Sequence, residues 1–533
     1  MMRRSFLAGL SAGVAARGLT AAAFTALPER VQARATSATA DLRTMVTARA
    51  EALSRAPFLA RSRSLPPGLE ALDYDGYRRI EFNNHRGLWR DNPSGFEMQP
   101  MHRGYIQTGD MVLNAVEDGV IRPLAYDPSL FSFFGMSPPP VTAGDIGFSG
   151  ARILGHLGDT TVAREFLVFQ GASYFRALAA GSAYGLSARG LAVRTADPAG
   201  EEFPAFTELW VERPDYAARE IIIHALLDGP SVTGAYMFTV RTGIDAPEGA
   251  PKATRMGVNV TLFPRVDLDH LGLAPLTSMY WYAPLERRAV DDYRQRVHDS
   301  DGLSICTESG EWQWRPLANP ARLQVSSFGP GADGRVSGFG LSQRARDWTM
   351  YQDMGADYHL RPSCWVEPHA EWPQGRVELI EIPTDSEYHD NIVAYWRPSA
   401  TLKAGVQAVF GYDLVWSQQP ASGLGLLQAV TSQSGSNGRG WRQIVVDFAR
   451  SADERPPGTA FAAGDIQAFA PEVTARGARV HAVALGLNSG IGGLRLSFLV
   501  EPQDDLAELS AVIRQHGRPV SETWLYRLTG LSG

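Results

Sequence analysis

Cysteine is nearly absent from this chain of 533 residues: Cys306 and Cys364 are the only two. Two thiols cannot build a multi-thiolate zinc site or carry an iron–sulfur cluster that needs four. Spacing does not tell whether they could meet as a disulfide, and two buried thiols are the expectation. A basic excess is missing as well. Lys and Arg number 50 against 57 Asp and Glu, a net charge of −7, which argues against a nucleic-acid or anionic-lipid partner. The eleven histidines show no His-Glu-x-x-His or similar spacing, so no metal is expected. No Gly-x-Ser-x-Gly elbow is present, which argues against a serine hydrolase. No stretch of about 18 uninterrupted apolar residues exists to cross a membrane.

What the chain has in quantity is turn formers and flat side chains. Its 53 Gly and 34 Pro punctuate short apolar runs, and 12 Trp with 17 Tyr supply rings that suit either β-sheet cores or the faces of sugars. A length of 533 residues implies two or more domains.

The first 35 residues read as an address. Arg3 and Arg4 precede Ser5, Phe6 and Leu7, a weakly apolar Ala/Gly-rich stretch follows, and Ala33-Arg34-Ala35 offers a small-x-small cleavage site. This pattern matches a twin-arginine signal peptide, with a mature protein exported to the periplasm. Arg17 interrupts the apolar stretch, which speaks against a membrane anchor. Twin-arginine export often carries cofactor-loaded proteins, so a periplasmic oxidoreductase is a rival reading. The sequence gives it little: there is no Cys-x-x-Cys-His haem motif, and Gly338-Phe339-Gly340 runs on without a third glycine. No cofactor is expected.

After a short helical pattern near 40–56, strand patterns dominate. Residues 219–227 (REIIIHALL), 376–382 (RVELIEI) and 391–396 (NIVAYW) read as buried strands. The texture changes near 397, where 397–405 (RPSATLKAG) reads as a linker between a large domain at 36–396 and a small one at 406–533. In the small one, Phe410, Tyr412, Leu414 and Trp416 alternate with Gly411, Asp413 and Val415; Ile444, Val446 and Phe448 share one face, as do Leu494, Leu496 and Phe498 with Arg495 and Ser497 opposite. Such runs predict an immunoglobulin-like sandwich with one helical insertion at 504–517.

Several strings resemble the osmoregulated periplasmic glucan biosynthesis proteins G and D. Among them are QGASYFRAL (170–178), EEFPAFTELWVERP (201–214), ALLDGPSVTGAY (225–236), APLTSM (274–279), HDSDGL (298–303), EWQWRPLANP (311–320), RPSCWVEP (361–368) and IPTDSEYHDNIVAYW (382–396). The resemblance implies a mainly β fold, a large β-sandwich of the galactose mutarotase-like supersandwich type joined to a smaller immunoglobulin-like sandwich. It implies β-1,2-linked glucan as the substrate and a chemistry similar to inverting glycoside hydrolases or related transglycosylases. The chain departs from the family pattern at Met101, at 280–288 (YWYAPLERR) and at Ala345.

Glycosidic cleavage needs a proton donor for the leaving oxygen and a carboxylate that activates the attacking hydroxyl or water. Asp390, beside Tyr388 and Trp396 where a turn meets an apolar strand, matches the family's general acid, with Glu387 close enough in sequence to supply a like charge. The residues alone equally suit an Asx-turn there. The resemblance points to the HDSDG string for the base, and Asp301 is preferred over Asp299. Tyr358, Arg361, Trp365, Glu367, Trp312, Trp314 and Arg315 are candidate glucan contacts, though each suits core packing or a structural ion pair as well. The segment 434–441 (SGSNGRGW), ending at Trp441, is a candidate lid over the cleft. The competing reading from another class is a non-catalytic glucan-binding scaffold that assists a membrane glucan synthase. Sequence leaves the oligomeric state, and the choice between hydrolysis and transfer, open.

Overall fold

The computed structural model describes residues 37–529, apart from 61–63, 67, 139–144, 158–161, 216–219, 244–251, 287–289, 330–333, 370–371, 439, 451–460 and 462. The proposed signal at 1–35 lies outside the described residues. The protein is mainly β. Its one long helix, Ser37–Ser54, lays Leu42, Val46 and Ala50, one turn apart, onto Trp210, Leu226, Ala235 and Phe263. Among the described residues no helix is long and apolar enough to cross a membrane.

Two large sheets enclose the main core. A ten-stranded sheet runs through Glu97–Met101, Gly150–Gly155, Arg164–Gln170, Tyr174–Ala177, Ser187–Arg189, Leu271–Ser278, Ile392–Pro398, Gly375–Glu381 and Gln324–Phe328, with Ala192–Val193 off the path. A fifteen-stranded sheet includes the meander Ala205–Glu212, Glu220–Asp228, Val232–Arg241 and Thr254–Pro264. Strands buried on one face must cover it against another layer. Accordingly Met98, Ile153, Phe169, Leu276 and Trp396 from the first sheet share one cluster with Leu209, Ile223, Phe238, Val258 and Leu414 from the second. The strands expected at 219–227, 376–382 and 391–396 are present at Glu220–Asp228, Gly375–Glu381 and Ile392–Pro398. Both cysteines are buried and free.

Two features differ from the sequence reading. The large body does not stop at the expected linker. Leu402 bridges Leu268, and the next strand, Ala408–Ser417, pairs on one side with Thr254–Pro264 and on the other with Ser363–Pro368. Its alternation was legible, but alternation names a face and not a sheet: Phe410, Tyr412, Leu414 and Trp416 enter the large core. The second difference is the helix expected at 504–517, which is the strand Leu506–Gln515. Ala, Glu and Leu favour helix intrinsically, yet Ala507, Leu509, Ala511 and Ile513 are buried at a spacing of two, and tertiary burial overrides propensity.

The second body packs a four-stranded sheet, with Gln428–Ser436, Arg442–Ala449, Gly493–Pro502 and Ala478–Asn488 in that order, over Phe469–Arg476, Leu506–Gln515 and Thr523–Thr529. Ile444, Val446, Phe448, Leu494, Leu496 and Phe498 fill its core together with Leu509, Ile513 and Trp524. The two bodies share the fifteen-stranded sheet. Thr523–Thr529 lies parallel to Trp312–Pro316, with Gln313 opposite Thr523 and Trp314 opposite Trp524.

A buried polar seam runs beside that junction. Arg315 and Glu381 pair at 2.9 Å with almost no exposure, and Arg315 lies 5.2 Å from the Tyr526 ring. Glu286 accepts from the Asn319 N–H at 2.8 Å and from the Tyr526 hydroxyl at 3.4 Å. Burial pushes Glu286 up to about 7 against the pull of the Asn319 N–H, and the Glu381 carboxylate adds to the rise.

Two outcomes follow from this packing. Ile513→Ala should lower the unfolding free energy by about 2–5 kcal/mol, whereas Ser510→Ala, on the half-exposed face, should stay within about 0.5 kcal/mol; denaturant titration reads both. Because the folded pKa of Glu286 lies above its ordinary carboxylate value, the folded state holds a proton that the unfolded state releases. Its contribution to stability is therefore full at acid pH and is lost as pH rises through about 7. Thermal melts of Glu286→Gln should show a flatter pH dependence between about 4.5 and 7 than the unsubstituted protein.

Candidate active site

Side chains of the strands Arg164–Gln170 and Tyr174–Ala177, with the surrounding loops, frame a cleft of about 350 Å3. Two of the predicted carboxylates line it, and each is held by its neighbours in sequence. Asp390 sits in the loop before Ile392–Pro398. The next residue, Asn391, ties that loop down: its amide donates to the carbonyls of Tyr280 and Ile382, both at 2.9 Å, and accepts from the Tyr280 N–H at 2.9 Å. Asp390 itself is about one-third exposed (36%), with Oδ2 3.7 Å from the Arg176 guanidinium.

Asp299 follows the short strand Val297–His298. Its N–H donates to the Met279 carbonyl at 2.8 Å, and the next hydroxyl, Ser300, is 2.9 Å from that of Ser278. Its carboxylate is almost fully buried at the cleft wall, 3.6 Å from Nε of Arg361.

Tyrosines supply the cleft's flat surfaces. Tyr105 packs between Tyr74 and Tyr77, with ring centroids 6.5 and 6.4 Å away. The Tyr77 hydroxyl is fixed by donating to the His102 carbonyl at 2.8 Å and accepting from Gln170 at 3.1 Å, and burial raises its pKa. Tyr184 and Tyr388 complete the bank. Glu165, also on the lining, is raised by burial against its 3.0 Å pairing with Arg152. Two lining residues hold left-handed backbone, Tyr105 at φ 54° and Asp357 at φ 49°. An aspartate tolerates that conformation and a tyrosine does not do so cheaply, so local strain is concentrated at this cleft.

The other predicted residues are placed elsewhere. Asp301, the preferred base, does not line the cleft. Its carboxylate accepts from the backbone N–H groups of Arg344 and Ala345, each at 3.0 Å, and burial raises its pKa. Glu387 is not poised as a like charge for Asp390; it is neutralised by Arg294 at 2.8 Å and accepts from the Tyr358 hydroxyl at 2.7 Å. Tyr358 is thereby buried behind the wall, with Arg361 5.5 Å from its ring. Trp365 and Trp312 stack on each other at 5.2 Å, away from the cleft lining. Glu367 pairs with Arg255 at 2.7 Å. Trp314 is core between the bodies, Arg315 belongs to the Glu381 pair, and Trp396 packs in the main core against Trp372. Trp441 stacks on His481 at 4.7 Å inside the second body, and no described residue of that body lines the cleft.

Arg361 is thus the one predicted contact that joins Asp390 and Asp299 on the lining. Sequence reasoning missed Tyr74, Tyr77, Tyr105, Glu165, Arg176 and Tyr184. Only Arg176 carried a signal, since it falls within QGASYFRAL; Tyr74 and Tyr77 sit in a four-residue helix and Tyr105 and Tyr184 in loops, with no periodicity to mark them.

The chain matches the family described as "Periplasmic glucan biosynthesis protein, MdoG" over residues 43–528. It belongs to that family. It is similar to glucans biosynthesis protein G of Shewanella baltica (strain OS195), at 44% identity over 488 residues, 90% of this chain and 86% of the relative. The same-named protein of Vibrio cholerae serotype O1 is 44% identical over 489 residues, covering 90% and 85%. Glucans biosynthesis protein G 1 of Shewanella oneidensis is 43% identical over 488 residues, covering 90% and 85%. As a member of the periplasmic glucan biosynthesis family, the chain works in that process and in that compartment.

The wall behind Asp299 depends on a single cation. Arg294, itself buried, reaches Asp292 at 2.8 Å, Asp353 at 2.7 Å and Glu387 at 2.8 Å. Arg294→Ala removes the cation that these three carboxylates share, and equilibrium unfolding should show a loss of about 3–5 kcal/mol.

Proposed function

We propose that the chain is an anomer-inverting β-1,2-glucanase or related transglycosylase, with Asp390 as proton donor and Asp299 as base. The observation that carries this reading is that Asp390 and Asp299 line one tyrosine-walled cleft. Asp301 spends both carboxylate oxygens on backbone N–H groups. That use of Asp301 favours Asp299 for the role the HDSDG string was expected to fill.

The step balances as follows. A water or sugar hydroxyl oxygen attacks the anomeric carbon from the face opposite the leaving group. The bond from that carbon to the glycosidic oxygen breaks, Asp390 delivers its proton to the departing oxygen, and the nucleophile's proton passes to Asp299, directly or through a bridging water or sugar hydroxyl. A base must be an anion, and the Arg361 guanidinium faces Asp299. A donor must reach the glycosidic oxygen, and Asp390, about one-third exposed, is open to the cleft. The tyrosine bank suits pyranose faces, and Arg176 and Gln170 suit hydroxyls. Water as acceptor gives endo-cleavage. A sugar hydroxyl gives transfer or ring closure, and inversion of a β bond makes the new bond α. Export through the twin-arginine route, on Arg3 and Arg4, is part of the same proposal.

Incubation of purified protein with linear β-1,2-glucan, followed by mass analysis and NMR of the anomeric signal, tests the reading. Shortened or cyclised products of inverted configuration are expected. Asp390→Asn and Asp299→Asn should each lower kcat by at least about 10²-fold while glucan binding persists. Tyr77→Ala should instead raise KM, by up to about tenfold for the loss of ~1.4 kcal/mol of ring contact. Polymer that is bound but left intact by the unsubstituted protein would favour the alternative, a glucan-binding scaffold that assists a membrane synthase.

A further inference from the structure

Asp299 belongs to a loop whose other end is gripped by the second body. Asp301 uses every backbone-directed group it has: its N–H donates to Ser342, its carbonyl accepts from Leu317, and its carboxylate takes the N–H groups of Arg344 and Ala345. The 299–301 turn and the 343–347 loop are therefore one unit. Arg344, on that second loop, sends its guanidinium across the junction. It meets both carboxylate oxygens of Glu522, at 2.5 and 2.9 Å, and lies 3.6 Å over the Trp314 ring. The two side chains are 4% and 2% exposed. Glu522 in turn accepts from the Ala429 N–H at 2.7 Å, which fixes it to the second body's own sheet.

We infer that Glu522 and Arg344 are positioning residues through which the second body sets the place of Asp299 in the cleft. The inference rests on the proposed role of Asp299 as base. A planar fork bound bidentately admits one geometry, unlike a single hydrogen bond. Desolvation of both partners makes that geometry costly to leave, because either charge alone would be buried unpaired. The linkage has three steps: the side-chain fork between Glu522 and Arg344, the Arg344 and Ala345 N–H groups on the Asp301 carboxylate, and the chain from Asp301 through Ser300 to Asp299. None of its members before Asp299 lines the cleft, so its effect falls on the timing and aim of proton removal and not on glucan affinity. This gives the second body a task in the chemistry although none of its described residues lines the cleft.

The test is the double variant Arg344→Leu/Glu522→Leu in the full chain, which removes both charges together and leaves no buried ion unpaired. Two readouts are taken: steady-state kinetics on linear β-1,2-glucan, and amide hydrogen exchange over 299–301 and 343–347. Expected are a kcat lower by about 10²-fold, the scale of a 1 Å misplacement, a KM within about twofold of the unsubstituted value, and faster exchange at both segments. A folded double variant with kcat and exchange unchanged overturns the inference while leaving the proposed chemistry standing. If the unsubstituted protein leaves glucan intact, the catalytic reading has failed by itself. The exchange arm then decides whether the second body orders the Asp299 turn: faster exchange supports it, and unchanged exchange overturns it. Should the double variant not fold, Glu522→Gln, which keeps the shape and removes one charge, is read by the same two measurements.

Discussion

The loops that carry Asp390 and Asp299 have no ladder to hold them, so each buried backbone group there needs a partner found elsewhere. That constraint shapes the carboxylate-bearing walls of the cleft. Asn391 supplies partners for the Asp390 loop, Asp301 supplies them for the Asp299 turn, and Asn319 and Glu286 do the same along the seam. The polar residues that sequence inspection singles out near the cleft are therefore of two kinds. Some face the groove, and their immediate neighbours hold the backbone that aims them. Asp299 and Asp301 show the division over three residues.

The same division explains what the sequence made legible. Mainly β architecture and individual strands followed from apolar alternation, which the burial of alternate residues enforces. The strand at 506–515 was read as a helix because its composition favours one; only its packing against Trp524 and Ile444 decides otherwise. The edge of the large body was misjudged at 397–405 for a related reason. A strand's face is written in its own residues, but its partners are written in distant ones, and Ala408–Ser417 is paired with 254–264 and 363–368.

Within the site, family resemblance led to Asp390, Arg361 and the HDSDG string, which the cleft brings together. It put Asp301 ahead of Asp299, whereas Asp299 is the one on the cleft lining, since two carboxylates two residues apart differ only in where a turn sends them. Tryptophans expected at the sugar are placed in cores and junctions instead: Trp314 between the bodies, Trp312 against Trp365. A large ring is worth most where it is fully covered. Tyrosine, with a hydroxyl that can stay wet, is left to line the groove, and Tyr105 takes a strained backbone to do so.

The sheet common to both bodies has a mechanical consequence. Because Thr523–Thr529 is hydrogen-bonded to Trp312–Pro316 and the Arg344–Glu522 fork crosses the same joint, the halves cannot hinge apart without tearing a ladder and exposing a dry ion pair. The cleft therefore cannot be closed by the two halves clamping shut.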